Sequence, residues 1–326
     1  MTRSSGHEPT DGPPGPDAKR RVIVNPNSGA GDHLPTVHRL ADHWGYSVAE
    51  TAAAGDAIDL AREAAADGVD VLAACGGDGT VHEVLCGLVD ADALGGVRFG
   101  VVPVGTANIF ADDIGVRGIE HGFELLEDGE VRRIDLGLAD GVPFVKSCIA
   151  GLTADTSAAT TSDLKARFGP LAFVITGVQQ AREFDALDIE VDAVTEGETR
   201  TWSGEALCVL VGNARRFAKQ FGQANVEDGL FDVTLIERMP AGEAVAEAIV
   251  QQLLRRDTEH VTQLRAERLA IESRSSAIDF SLDGEIYTRN RLDLRVRSEA
   301  LSVCVGTDYE PDPTMQAEKD SFGRYL

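Results

Sequence analysis

Lysine is almost missing from this chain. Of its 30 basic residues only five are lysines, and 54 acidic residues leave a net charge of −24. No basic stripe survives that balance, which argues against nucleic acid as a partner. Cysteine occurs five times but never as a CxxC pair. Cys75, Cys86, Cys148, Cys208 and Cys304 each sit in or beside an apolar run and read as buried thiols rather than disulfides or a zinc site. Histidine is no better placed for metal, since His38 and His43 stand five residues apart, a poor spacing on a helix. No apolar run approaches the roughly 18–20 residues of a membrane span. The opening stretch, 1–19, has no apolar h-region and is rich in Gly, Pro, Ser and charge. It reads as a disordered tail, so the expected compartment is the cytoplasm, with peripheral membrane contact left open. The acid load is spread along the whole chain. An acidic, lysine-poor, alanine-rich surface fits a protein kept soluble in high salt. It also leaves any anion site to backbone donors, a few arginines and a metal ion.

What is present is an alternating pattern. Strands are expected at Arg21–Asn25, Ser47–Thr51, Val69–Cys75 and Arg98–Val102. Helices are expected at Leu34–Trp44, Asp56–Asp67, Thr80–Val89, Ala107–Asp113 and Ile119–Asp128. Strands alternating with helices imply an α/β fold with a parallel, doubly wound sheet. After Gly129 the texture changes to short strands joined by Gly, Asp or Asn turns: Arg132–Ala139, Val142–Ile149, Leu187–Ala193, Thr201–Val211, Asp232–Ile236, Arg268–Glu272, Ala277–Leu282, Leu292–Val296 and Leu301–Val305. Two helices, Leu164–Glu183 and Ala241–Arg255, interrupt them. The expected plan is a tail over 1–19, a nucleotide-binding α/β domain over 20–131, a largely antiparallel β domain with helical insertions over 132–306, and a C-terminal tail over 307–326, part of which packs on the first domain or hangs free.

Three polar turns end three of the parallel strands. They are Asn25-Pro26-Asn27-Ser28-Gly29, Gly76-Gly77-Asp78-Gly79-Thr80 and Pro103-Val104-Gly105-Thr106-Ala107-Asn108. Open α/β sheets bind ligands at the carboxyl ends of their strands. A glycine turn that opens a helix presents bare N–H groups, a natural grip for phosphate. Taken singly, each turn has an ordinary alternative as plain turn chemistry. Together they put hydroxyls, amides and N–H groups on one sheet edge.

With these turns the chain resembles the diacylglycerol kinase catalytic-domain family, which also includes sphingosine and ceramide kinases; NAD kinases are more distant. Further family-like elements follow in order: Gly151-Leu152-Thr153-Ala154-Asp155, Lys165–Leu171, Val211-Gly212-Asn213-Ala214-Arg215, Glu227-Asp228-Gly229-Leu230-Phe231-Asp232 and Leu282-Asp283-Gly284-Glu285. The resemblance implies an ATP-dependent lipid kinase. Asn25, Pro26, Asn27, Ser28, Gly29, Thr51, Gly76, Gly77, Asp78, Gly79, Thr80, Val81, His82, Glu83 and Thr106 would line the ATP site. Gly77, Gly79 and Thr80 would give N–H groups to the phosphates, and Asp78 would act on Mg²⁺ or hold the loop, because a bare carboxylate would repel phosphate. Asp283 would be the general base, with Glu285 the alternative; the ordinary reading of Asp283 is a hairpin Asp-Gly turn. Asn225, Asp228 and Leu230 would hold a structural Mg²⁺ through hard oxygen ligands, or would form a plain turn.

Some positions depart from the family. Ala30-Gly31 stands where many relatives carry a basic residue, His82 replaces an Asn, and Arg216–Ala224 lacks the usual Gly- and Pro-containing form. Lys165, Arg167, Arg215 and Arg216 are candidates for the missing positive charge, or solvated surface. Phe168, Leu171, Phe173, Phe217 and Phe221 are candidates for an apolar lipid entrance, or core. The expected partner is a lipid substrate met at a membrane surface, with a homodimer left open. Two rivals stand beside the lipid kinase: a soluble NAD kinase-like enzyme and a non-catalytic nucleotide sensor. Asn108 followed by Ile109, where NAD kinases carry an Asn-Asp-like pair, weighs against the first, and Asp283 weighs against the second.

Overall fold

The computed structural model describes residues 12–151, 186–214, 224–238 and 260–311. The expected helices Leu164–Glu183 and Ala241–Arg255 lie outside the described residues, as do the charged and aromatic candidates from Lys165 to Phe173 and from Arg215 to Phe221. The chain forms two compact units. Among the described residues the first comprises 12–136, 141–143 and 298–310; the second comprises 137–140, 144–297 and 311.

The first unit alternates strand and helix: β1 (Arg20–Val24), α1 (Leu34–Trp44), β2 (Ser47–Glu50), α2 (Asp56–Ala66), β3 (Val71–Gly76), α3 (Asp78–Asp90), β4 (Arg98–Pro103), α4 (Ile109–Asp113) and α5 (Ile119–Asp128). Its strands lie in the order β4-β3-β1-β2, all parallel. Every residue of β3 is buried, which is why it reads as an unbroken apolar run instead of an alternating one. Side chains of a strand point to opposite faces in turn. Val22, Val24, Val71, Ala73 and Cys75 pack with Val37, Leu40 and Ala41 of α1 and Phe123 and Leu126 of α5. Ile23, Leu72 and Ala74, also fully buried, fall on the opposite face, and α2 and α3 pack on each other and against β1 and β3. Burying one such Val or Leu contributes about 1.5–3 kcal/mol. Gly87 allows the α2–α3 approach, since a Cβ there would stand 2.3 Å from the Ile58 carbonyl oxygen.

After α5 come β5 (Glu130–Ala139), β6 (Val142–Phe144), β7 (Ser147–Gly151), β8 (Leu187–Thr195), β9 (Glu198–Gly212), β10 (Phe231–Glu237), β11 (Val261–Ala266), β12 (Arg268–Ser273), β13 (Ile278–Leu282), β14 (Glu285–Arg289) and β15 (Arg291–Val305). In the second unit β7 to β14 and the first part of β15 pair antiparallel. β9 changes partner along its length: Glu198–Ala206 pairs with β8, and Cys208–Gly212 pairs with β7 and β10. The last residues of β15 belong to the first unit, where Ser302 and Val303 run parallel to Arg98 and Phe99 of β4.

This is the expected mixed α/β fold with a parallel sheet and a large antiparallel region. It differs in detail. Leu292–Val296 and Leu301–Val305 are one strand, β15, which runs on through Glu299 although that residue has φ +50°. β11 and β14 are charged and polar on their open faces and carry too little apolar alternation to read as strands. Val142–Ile149 is broken at Val145 and Lys146, whose N–H groups bond to the Asp283 carboxylate.

Candidate active site

The parallel pairing brings the three turns of the first unit to one edge. Backbone bonds extend the ladder past each strand: Asn25 N–H donates to the Cys75 carbonyl at 2.9 Å, Val104 N–H to that of Gly76 at 3.1 Å, and Thr51 N–H to that of Val24 at 2.9 Å. Glycine sets how closely the turns meet. A Cβ on Gly105 would lie 2.4 Å from Gly77 Cα, and one on Gly29, itself at φ +60°, would lie 2.2 Å from the Val104 oxygen. Each turn is also held from within. Asn25 Oδ1 accepts from Asn27 N–H at 2.9 Å, and Asn25 Nδ2 donates to Thr80 Oγ1 at 3.4 Å. Asn108, at φ +47°, exchanges two bonds with the Gly105 backbone at 2.9 and 2.7 Å.

Between the first two turns and the segment after β2 lies a cavity of about 300 Å³. Asn25, Asn27, Thr51, Gly79, Thr80 and Glu83 line it, together with Ala53, Ala54 and Ala57. The alanines were not legible as site residues because they carry no chemistry; the signal was their place after the carboxyl end of β2. Its polar lining is amide and hydroxyl groups, which can both donate and accept. Glu83 is the acid among the lining residues, and its Oε1 already accepts the Gly55 N–H at 2.9 Å. In α3 the Val81 N–H bonds to the Gly77 carbonyl at 3.2 Å, so the N–H groups before it belong to the exposed first turn. A cradle of amides and hydroxyls beside the free N–H groups of a helix's first turn fits a polyphosphate.

The remaining expected residues fall around this cavity and not in its lining. Asp78 turns away from it: Oδ2 accepts from Ile109 N–H at 3.1 Å and Oδ1 from Phe110 N–H at 3.0 Å. These bonds tie the second turn to the start of α4. Val81 and His82 are buried in α3. His82 Nε2 lies 3.6 Å from Cys86 Sγ, and its Nδ1 meets no partner among the described residues. Pro26, Ser28, Gly29, Gly76 and Gly77 shape the turns, and Thr106 is exposed on the third.

In the second unit, Asp283 and Gly284 form the two-residue loop of the β13–β14 hairpin, closed by the Leu282–Glu285 pair. Both have positive φ, +52° and +112°, as a tight hairpin turn requires. The Asp283 carboxylate bridges to the β6–β7 corner. Oδ2 accepts from Val145 N–H at 2.7 Å, and Oδ1 accepts from Lys146 and Ser147 N–H at 2.9 Å each. Val145 and Lys146 lie between β6 and β7, and Ser147 opens β7. Asn213, fully buried, takes the corner's other side: its Nδ2 donates to the Val145 carbonyl and its N–H to that of Lys146, both at 2.9 Å. Asn213 lay in a noted motif, but its role was not legible because its partners are 67 and 68 residues earlier. Glu285 is exposed on β14.

Asn225, Asp228 and Leu230 are brought together in one turn before β10. Asn225 Oδ1 accepts from Glu227 N–H and Asp228 Oδ1 from Leu230 N–H, both at 3.0 Å. Asp228 Oδ2 is in contact with the Arg265 guanidinium, whose Nε lies 3.4 Å from Asp232 Oδ1. These donors do not fit a bound cation, because an arginine sits on the only carboxylate of the expected set. Among the described residues no three His, Cys, Asp or Glu side chains are grouped to hold one.

Comparison with known proteins follows the same two halves. The family Diacylglycerol kinase catalytic domain matches residues 19–139. The family YegS C-terminal NAD kinase beta sandwich-like domain matches residues 146–305. The chain is similar to a diacylglycerol kinase of Bacillus subtilis (strain 168), 30% identical over 82% of this chain and 89% of that one. It is 32% identical to a protein of Pseudomonas fluorescens named "Probable lipid kinase YegS-like", over 83% of this chain and 89% of the relative. A crystal structure of a diacylglycerol kinase from Bacillus anthracis str. Sterne superposes with a TM-score of 0.71 at 21% identity, covering 89% of this chain and 97% of that one. That last likeness shows the fold.

Proposed function

The chain belongs to the diacylglycerol kinase catalytic-domain family, and from that premise we propose that it is an ATP-dependent kinase that phosphorylates the hydroxyl of a diacylglycerol-like lipid. The observation that carries the proposal is the polar cavity where Asn25, Thr51, Gly79 and Thr80 meet at the carboxyl ends of the parallel strands. In this reading residues 20–131 are the ATP-binding part and residues 132–306 the lipid-substrate part. Asn25 to Gly29, Thr51 and Thr106 hold the nucleotide, and the N–H groups of Gly77, Gly79 and Thr80 hold its phosphates. ATP, carried with Mg²⁺, supplies an electrophilic γ-phosphorus and spreads its charge.

Phosphoryl transfer asks the protein mainly for position and charge neutralisation. Asp283 supplies the base. Three N–H donors fix its carboxylate. A carboxylate offers about four lone-pair sites, and Oδ2 accepts a single N–H, from Val145. Oδ2 is therefore the atom assigned to take the hydroxyl proton as that oxygen attacks phosphorus. Glu285 is the second candidate. None of the helices among the described residues is long and apolar enough to cross a membrane. In this reading the lipid is met by peripheral contact, on the cytoplasmic side.

The test is transfer of label from γ-labelled ATP, with Mg²⁺ and high salt, into a mixed lipid extract or into NAD⁺. Label in a lipid alcohol supports the reading. Label in NAD⁺ overturns it in favour of a soluble small-molecule kinase, and label in neither favours a nucleotide sensor.

A further inference from the structure

The turn before β10 belongs to the part of the chain where a structural cation was expected, and an arginine stands there instead. We propose that the Arg265 guanidinium is the built-in counter-ion of Asp228 and Asp232, so that the second unit forms this turn without a divalent cation. The inference concerns folding of the turn and is independent of the lipid-kinase reading.

The register makes the arrangement. Arg265 on β11 is the direct cross-strand partner of Asp232 on β10. A directly opposed pair of opposite charge is a favourable unit of an antiparallel sheet. From that position the guanidinium reaches Asp228 Oδ2 with NH2 and stands 3.4 Å from Asp232 Oδ1 with Nε. Arg265 is thus a fork between two carboxylates, a task its rigid, permanently charged group suits. The rest of the turn satisfies itself. Asp228 Oδ1 is taken by the Leu230 N–H and Asn225 Oδ1 by the Glu227 N–H, two Asx turns in a row. Mg²⁺ needs near-octahedral oxygen ligands at about 2.0–2.1 Å. A cation on Asp228 Oδ2 would have to displace the guanidinium from the same lone pairs and then face its charge at contact range. One of the two must leave, and the arginine is covalently tethered at the site.

The experiment is thermal melting of the full chain, nucleotide-free, in chelator or in millimolar Mg²⁺, with ionic strength matched by NaCl. Wild type should melt at the same temperature in both. Arg265→Met should melt about 2–4 °C lower in chelator, the shift expected for losing one such contact in a domain of this size. Mg²⁺ should restore part of that loss, and adding Asp228→Asn to the variant should remove the restoration. Arg265→Lys should stay closer to wild type than Arg265→Met. The proposal is overturned if wild type melts lower in chelator and Asp228→Asn abolishes that difference, or if Arg265→Met melts like wild type in chelator. If Arg265→Met does not fold, the wild-type and Asp228→Asn pair still decides the matter.

Discussion

Asp283 sits at φ +52° in a two-residue loop and ties that loop to the β6–β7 corner through three N–H donors. Replacing it by Asn turns one acceptor oxygen into a donor facing an N–H. Two effects should follow and can be measured apart. Turnover should fall by about 10²–10⁴-fold with the base removed, while ATP affinity stays within a few-fold. Chemical melts should show a stability loss of about 1–3 kcal/mol from the unmade bonds. Glu285→Gln, on the exposed edge strand, should leave the melts unchanged; if it lowers turnover more than Asp283→Asn does, the base is Glu285. The thiols give a second prediction at this scale. Burial pushes Cys75, Cys208 and Cys304 up to about 12. Burial, then the Asp283 charge, pushes Cys148 up as well. A thiol held neutral in the native state stabilises fully below its unfolded value, the ordinary 9.0, and that stability is lost as pH climbs towards 12. Urea melts across this alkaline range should show the decline. Alkylation near neutral pH should reach half-buried Cys86 first.

At the scale of elements, the site of the first unit is a set of strand ends held in contact by missing side chains. Gly105 is the sharpest case, because a Cβ there meets backbone, Gly77 Cα at 2.4 Å, which cannot swing aside as a side chain could. Gly105→Ala should therefore separate the third turn from the GGDG turn. The KM for ATP should rise about 10-fold or more, the equivalent of roughly 1.4 kcal/mol of lost binding, while the parallel sheet keeps its circular dichroism. An unchanged KM would show that the contact between the turns does not shape the nucleotide site. Asp78 belongs to the same design: it secures the start of α4 by accepting the Ile109 and Phe110 N–H groups.

For the whole molecule the governing quantity is a charge of −24 on 326 residues. Among the described residues many arginines are spent locally, as in Arg62 with Asp59 and Asp90 or Arg291 with Glu272 and Asp293. Such exposed pairs contribute little each and cannot offset the general repulsion. Screening can, since the Debye length shrinks from about 10 Å at 0.1 M salt to about 3 Å at 1 M. The melting temperature should rise as KCl goes from low to molar concentration, and activity should rise with it. Equal stability after salt is dialysed away would remove the case for a salt-adapted surface.

Much of this protein was legible residue by residue. Local signals fixed the alternation of β1 to α5, the three polar turns, and the Asp283-Gly284 hairpin, because periodicity, glycine and Asp-Gly chemistry act over a few residues and leave their pattern in the chain. Pairing over long separations left no such pattern. Nothing in the order of residues shows that Asn213 and Asp283 would clamp Val145–Ser147 from two sides. The strand β14 is exposed and polar and was invisible to a reading by hydrophobic pattern. Arg265 looked like any charged residue until the antiparallel register set it opposite Asp232 and within reach of Asp228. The sequence by itself determined the alternating elements of the first unit and the sheet edge where the turns collect; only the tertiary structure decided which carboxylates meet N–H groups and which meet an arginine, because hydrogen bonds and ion pairs depend on distances that only the folded chain sets.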